Sequence, residues 1–176
     1  NRALQATRQL GSSFKPILYS LALKSGFDMD SVFEDSPLEV ELPGGDLWKP
    51  RNWNNTFDGE MTLIRALTLS NNIIAVKLLM KLGVEKLAEL SQKFGINCEK
   101  SMVSSLALGV VEATAKDVAA AFNVFANGGS YTEPFLVEWV KDSTGRKIWK
   151  HKQSQHQVLD FMTNSKMVKA LSHRMQ

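Results

Sequence analysis

The chain has 176 residues, with 21 Lys and Arg against 18 Asp and Glu, for a formal net charge of +3. Hydrophobic residues make up 44% and charged residues 22%, an ordinary globular composition that excludes collagen, a disulfide scaffold and bulk disorder. The length suits one domain with its own core. The longest apolar runs, such as residues 118–122, fall far short of the roughly 20 residues of a membrane span. No signal peptide is visible, and the single Cys98 excludes an internal disulfide. Charge is uneven. Residues 28–60 hold nine acids and two bases, whereas residues 141–176 hold eight bases and two acids. The bases are dispersed among polar residues without aromatic interleaving or zinc spacing, so no nucleic-acid partner is expected.

Residues 14–22 predict a helix that ends at Lys24-Ser25-Gly26. Residues 27–60 are polar, acidic and punctuated by Pro37, Pro43-Gly44-Gly45 and Pro50. They read as a long excursion with one short strand around residues 38–42. Residues 61–82 are apolar at helical spacing except at Ser70-Asn71-Asn72, which predicts one helix before the break and another after it. A further helix covers residues 84–94 and stops at Gly95. Thr114 and Asp117 form a capping box with a shorter acid, opening a helix that ends at Asn127-Gly128-Gly129. Asp142-Ser143-Thr144-Gly145 joins two short strands, residues 135–140 and 147–150, as a hairpin. Residues 160–174 predict one last helix.

The stretch with chemical content is Ser12-Ser13-Phe14-Lys15-Pro16. Residues three apart share a helix face, so the Ser12 hydroxyl and the Lys15 amine can meet. Pro16 lacks an amide hydrogen, which a helix tolerates only near its start, so the helix begins close to Ser12. The amide donors of a helix start suit a nucleophile whose attack creates an oxyanion. A neutral lysine beside it can take the hydroxyl proton. By itself an S-x-x-K is common, and the bland reading is a serine cap with a lysine pointing to water. Ser70-Asn71-Asn72 adds an S-x-N triplet in the break between two helices, where the bland reading is again a cap. Together the two motifs match, in order and distance, the first two motifs of serine penicillin-recognising enzymes.

The wider sequence resembles the transpeptidase domain of class A, bifunctional penicillin-binding proteins. Residues 1–3 and 8–16 are similar to the segment that carries the family's nucleophile. Trp48-Lys49-Pro50-Arg51-Asn52, Gly59 and residues 62–67 with Ser70 and Asn72 resemble the next block. Leu106-Ala107-Leu108-Gly109, Glu112, Thr114 and residues 125–129 resemble the block after that. The resemblance implies an α+β fold with a helical lobe and an antiparallel sheet, of which this chain would hold mostly helices and one β-hairpin. It also implies acyl transfer on D-alanyl-D-alanine stem peptides of peptidoglycan, with acylation by beta-lactams. Ser12 would be the nucleophile and Lys15 its base. Ser70 would pass a proton to the leaving amine, and Asn72 would hold the substrate's peptide amide. No metal or cofactor is implied. A glycosyltransferase domain, a membrane anchor and a periplasmic location are implied outside the chain.

Two departures from the family pattern stand out. Leu10 replaces the usual proline before Gly-Ser. The third family motif, K-[ST]-G, is absent, since Lys24-Ser25-Gly26 precedes Ser70 at a helix end and Ser143-Thr144-Gly145 has no preceding lysine. Residues 1–176 are therefore expected to be a partial domain, without the N-terminal strands and the K-[ST]-G strand. Alone, the chain is expected to be inactive and unstable, with Leu18 and Phe125 left facing water. The alternatives are a non-catalytic fragment or scaffolding homologue of the same fold, and a D,D-carboxypeptidase or beta-lactamase-type hydrolase. A Ser-His-Asp hydrolase is disfavoured, because His151, His156 and His173 lie in the polar C-terminal third and no G-x-S-x-G elbow exists.

Overall fold

The computed structural model describes residues 1–42, 44–101 and 103–173. Its first half holds α1 (Arg2–Gln5), β1 (Thr7–Gln9), a 3-10 turn (Gly11–Phe14), α2 (Lys15–Lys24), β2 (Val32–Asp35), β3 (Val40–Glu41), β4 (Leu47–Trp48), β5 (Gly59–Thr62), α3 (Leu63–Thr68) and α4 (Asn72–Leu82). The second half continues with α5 (Val84–Lys93), 3-10 turns at Glu99–Ser101 and Ser104–Leu108, β6 (Glu112–Thr114), α6 (Ala115–Ala126), β7 (Ser130–Thr132), β8 (Trp139–Lys141), β9 (Lys147–Lys150), β10 (Gln155–Gln157) and α7 (Phe161–His173). The last residue of the expected terminal helix, Arg174, lies outside the described residues. No helix among them is long and apolar enough to cross a membrane.

Helix α2 is the axis of the core. Every side chain from Lys15 to Ala22 is buried, as expected for a helix with apolar residues on all sides. Helices α3, α4, α5 and α7 pack around it. This packing corrects one expectation. Leu18 is fully buried and Phe125 is 6% exposed, so neighbouring helices of this same chain cover both side chains.

Local chemistry accounts for the helix ends. The Thr114 hydroxyl accepts from the Asp117 amide at 3.2 Å while the Asp117 carboxylate accepts from the Thr114 amide at 3.2 Å, the predicted capping box. At α7 the Asp160 carboxylate accepts from the amide and hydroxyl of Thr163 at 2.9 and 2.7 Å. Those bonds hold its carboxyl below the usual carboxylate range.

The strands are where the structure departs most from the sequence reading. Five two-stranded antiparallel ladders stand among the described residues instead of one hairpin. The acidic excursion, read as having one strand, contains two ladders, β2–β5 and β3–β4. In β2 the inward positions are Phe33 and Asp35, and a carboxylate in an apolar slot hides the period-two pattern. The expected hairpin exists as β8–β9, with both strands exposed throughout. Ser143-Thr144-Gly145 is its turn, closed by Gly145 N–H donating to Asp142 C=O at 3.0 Å.

The β1–β6 ladder is extended by Leu10 N–H donating to Val111 C=O at 3.0 Å and Gly11 N–H to Gly109 C=O at 2.9 Å. It thereby sets the backbone that enters the Ser12 turn. Gly109 has φ +73°, and a Cβ there would stand 2.0 Å from the Gly11 carbonyl oxygen. No side chain fits without moving the turn. Gly109→Ala should therefore destabilise the domain by about 2 kcal/mol or more. That corresponds to about 4–8 °C in melting temperature for a domain of this size. An unchanged melting temperature in the full-length protein would contradict the close approach.

Candidate active site

Ser12 lies in the 3-10 turn Gly11–Phe14 and Lys15 opens α2. The turn is tight for a chemical reason. In an α-helix the Ser12 carbonyl would accept from residue 16, but Pro16 has no N–H. The Lys15 N–H donates to it instead, one residue earlier, which is the 3-10 pattern. The nucleophile candidate thus stands one tight turn before the α-helix. The two adjacent serines differ. The Ser13 hydroxyl donates to the Leu10 carbonyl at 2.5 Å, and Ser13 lines a separate cleft with Leu10, Ala113, Val118 and Phe122. Ser12 is exposed.

Lys15 is 1% exposed. Its Nζ donates to the Ser70 carbonyl at 2.5 Å, to Ser70 Oγ at 3.0 Å and to Asn72 Oδ1 at 2.8 Å. All three oxygens come from one triplet that spans the break before α4 and the first residue of α4. The structure therefore brings together Lys15, Ser70 and Asn72, with Ser12 three residues before Lys15 on the same turn of chain.

The triplet is built by joining two helix caps. Helix α3 ends in a Schellman motif, with Ser70 N–H donating to Leu67 C=O at 3.1 Å and Asn71 N–H to Ala66 C=O at 2.9 Å. The motif places Ser70 in the left-handed region, φ +55°, a position that usually falls to glycine. Asn71 then caps α4, its Oδ1 accepting from Ile74 N–H at 2.9 Å. The bland reading of the triplet as a cap holds for its middle residue, and the two flanking residues face Lys15.

Sequence reading assigned no role to Asn52 or Asp35. Asn52 Oδ1 accepts from Asn72 N–H at 2.9 Å, and its Nδ2 donates to both carboxylate oxygens of Asp35 at 3.0 Å. The available signal was the Trp48–Asn52 block, which stood out as family-like without a role for its last residue. The decoy Lys24-Ser25-Gly26 forms the end of α2. His151 stacks on Phe135, and the His156 ring nitrogen meets the Lys93 carbonyl at 2.9 Å, so both rings are engaged elsewhere. The side chain of His173 lies outside the described ones.

A sequence model of the penicillin binding protein transpeptidase domain matches residues 1–174. The chain belongs to this family. Penicillin-binding protein 1A of Haemophilus influenzae is 39% identical over 150 residues, covering 85% of this chain and 18% of that protein. The protein of the same name from Neisseria gonorrhoeae is 39% identical over 149 residues, covering 83% and 19%. The chain thus spans about a fifth of the length of the curated relatives it matches. The crystal structure of the Haemophilus influenzae protein aligns with a TM-score of 0.82 at 37% identity, over 89% of this chain and 24% of that one. The penicillin G acyl-enzyme complex of penicillin-binding protein A from Mycobacterium tuberculosis aligns with a TM-score of 0.85 at 22% identity, over 100% and 46%, a likeness of fold. The α+β family fold expected from the sequence is the fold of these domains.

The left-handed Ser70 generates a stability test. Ser70→Ala and Ser70→Gly both remove the hydroxyl, but only glycine relaxes at φ +55°. The glycine variant should be the more stable of the two by about 1 kcal/mol. Thermal melts of equal stability would contradict the assigned backbone.

Proposed function

We propose that this chain is the helical part of a peptidoglycan D,D-transpeptidase domain that works through a serine acyl-enzyme. The observation that supports the reading most is the position of Lys15 Nζ, which bonds Ser70 Oγ and Asn72 Oδ1 from a helix that begins one turn after an exposed serine. Ser12 Oγ attacks the carbonyl between the two terminal D-alanines of a stem peptide. Lys15, as a neutral amine that keeps two N–H donors for its oxygen partners, takes the hydroxyl proton on its lone pair. Ser70, 3.0 Å from Lys15 Nζ, passes a proton to the departing D-alanine amine. The amide nitrogen of Asn72 has two hydrogens. One goes to the Arg51 carbonyl at 2.9 Å, and the other is suited to the substrate's peptide carbonyl. The backbone N–H of Ser12 supplies one oxyanion donor.

In this reading residues 1–176 are a partial domain. The second oxyanion donor and the cation for the substrate's terminal carboxylate sit on a K-[ST]-G strand outside them. The amine of a second stem peptide then resolves the acyl-enzyme into a crosslink, and beta-lactams acylate the same Ser12. The relatives' much greater length leaves room for the glycosyltransferase domain and membrane anchor that the family resemblance implies, with the site facing the periplasm. Water as the acceptor gives a D,D-carboxypeptidase from the same acyl-enzyme.

In the full-length protein a fluorescent penicillin should label one site per molecule. Ser12→Ala should abolish labelling, and Lys15→Ala should slow acylation by about 10²–10⁴-fold, the usual loss for a general base. Gel fluorescence and stopped-flow acylation measure both. Undiminished labelling of Ser12→Ala would sink the assignment.

A further inference from the structure

The acidic excursion reaches the site through a buried pair of side chains. Asp35 is 1% exposed. Its carboxylate receives Asn52 Nδ2 on both oxygens at 3.0 Å and the Asp58 N–H at 3.0 Å. Among the described residues no ion pair reaches it. A buried carboxylate held only by N–H donors is costly unless those donors stay in place. Asn52 is 7% exposed, and its Nδ2 also donates to the Thr56 carbonyl at 2.9 Å. Its Oδ1 accepts from the N–H groups of Asn72 and Ile73 at 2.9 and 3.4 Å. Those two donors belong to the first turn of α4 and have no partner within the helix.

Arg51 and Asn52 therefore grip Asn72 at two points. The Arg51 carbonyl takes the side-chain Nδ2 at 2.9 Å, and Asn52 takes the backbone N–H. With Nδ2 turned toward Arg51, Oδ1 is the atom that Asn72 presents to Lys15. The strand end that carries Asp35 is tied to α4 a second time. Lys77 Nζ donates to the Glu34 carbonyl at 2.7 Å and to Ser36 Oγ at 2.8 Å, one residue to either side of Asp35.

We propose that Asp35 and Asn52 are positioning residues for acyl transfer. They hold the start of α4 and the Asn72 amide so that Lys15, Ser70 and Asn72 stay in reactive register with Ser12. The proposal rests on the acyl-enzyme reading above. A pair that served folding alone would change how many molecules fold. A positioning pair changes how fast the folded molecules react.

The test uses the full-length protein and a fluorescent penicillin, with titration of the reactive fraction and stopped-flow acylation of that fraction. Wild-type protein acylated at Ser12 is the control. If the control is not acylated there, the acyl-enzyme reading fails and this inference with it. Given the control, Asn52→Ala and Asn52→Asp should acylate about 10–100-fold more slowly in their reactive fraction, the scale of a misplacement near 1 Å. Asn52→Asp sets two carboxylates against each other. Adding Asp35→Asn restores a carboxylate–amide pair with reversed polarity, and this double variant should be at least about tenfold faster than Asn52→Asp alone. An acylation rate of the reactive fraction within twofold of wild type in both single variants would overturn the proposal. So would a double variant no faster than Asn52→Asp, or failure of all three variants to fold.

Discussion

A lysine amine shut away from water must be surrounded by acceptors, and the organisation of this chain follows from that demand. Lys15 opens a helix buried on every side, and its Nζ finds three oxygens in a single loop. The loop must therefore lie against the N-terminal end of α2. It does so because α3 and α4, which flank the loop, both pack on α2. Core packing and site geometry are thus one constraint. A shift of α4 along α2 would move Ser70 and Asn72 off the amine and leave a buried cation or a buried amine without its oxygens.

The Ser70–Asn72 triplet does two jobs with three residues. Asn71 is the last residue of one helix-ending motif and the first cap of the next helix, so the break is only three residues long, Leu69 to Asn71. A break this short fixes the flanking side chains on one side of the loop. Its cost is concentrated at Ser70, which takes a left-handed backbone where glycine would be relaxed. Strain retained at a hydroxyl that bonds a buried amine is the pattern expected where function outweighs local stability. The Asp35–Asn52 pair extends the same frame outward, so that an excursion rich in exposed acids contributes one buried carboxylate to the support of the site. A second link joins the excursion's acidic start to the basic C-terminal region, where Lys166 pairs with Asp28.

Much of the site was legible in the sequence because its information is local. Spacing of three, a proline that forbids the next hydrogen bond, and a polar triplet interrupting an apolar period all lie within a few residues. The helices were legible for the same reason, through capping chemistry at Thr114 and stop signals at Gly26 and Gly95. The short ladders were not. Strands of two to four residues carry too little pattern, and a buried Asp35 breaks what pattern β2 has. Asn52 and Asp35 are 17 residues apart and meet only through tertiary packing. The expected exposure of Leu18 and Phe125 failed for a related reason. Which helix covers which face depends on how α2, α6 and α7 dock, and periodicity within one helix does not encode that.

The central claim is that one of two adjacent serines, Ser12, is the acylated residue because its neighbour's hydroxyl is spent on the Leu10 carbonyl. Residue-level mass mapping of the penicillin-treated full-length protein tests it most directly. After trypsin the relevant peptide runs from residue 9 to residue 24, since the Lys15–Pro16 bond resists cleavage, and it contains Ser12, Ser13 and Ser20. Fragmentation should put the whole acyl mass on Ser12. An adduct on Ser13, on Ser70 or on any other residue would contradict the account.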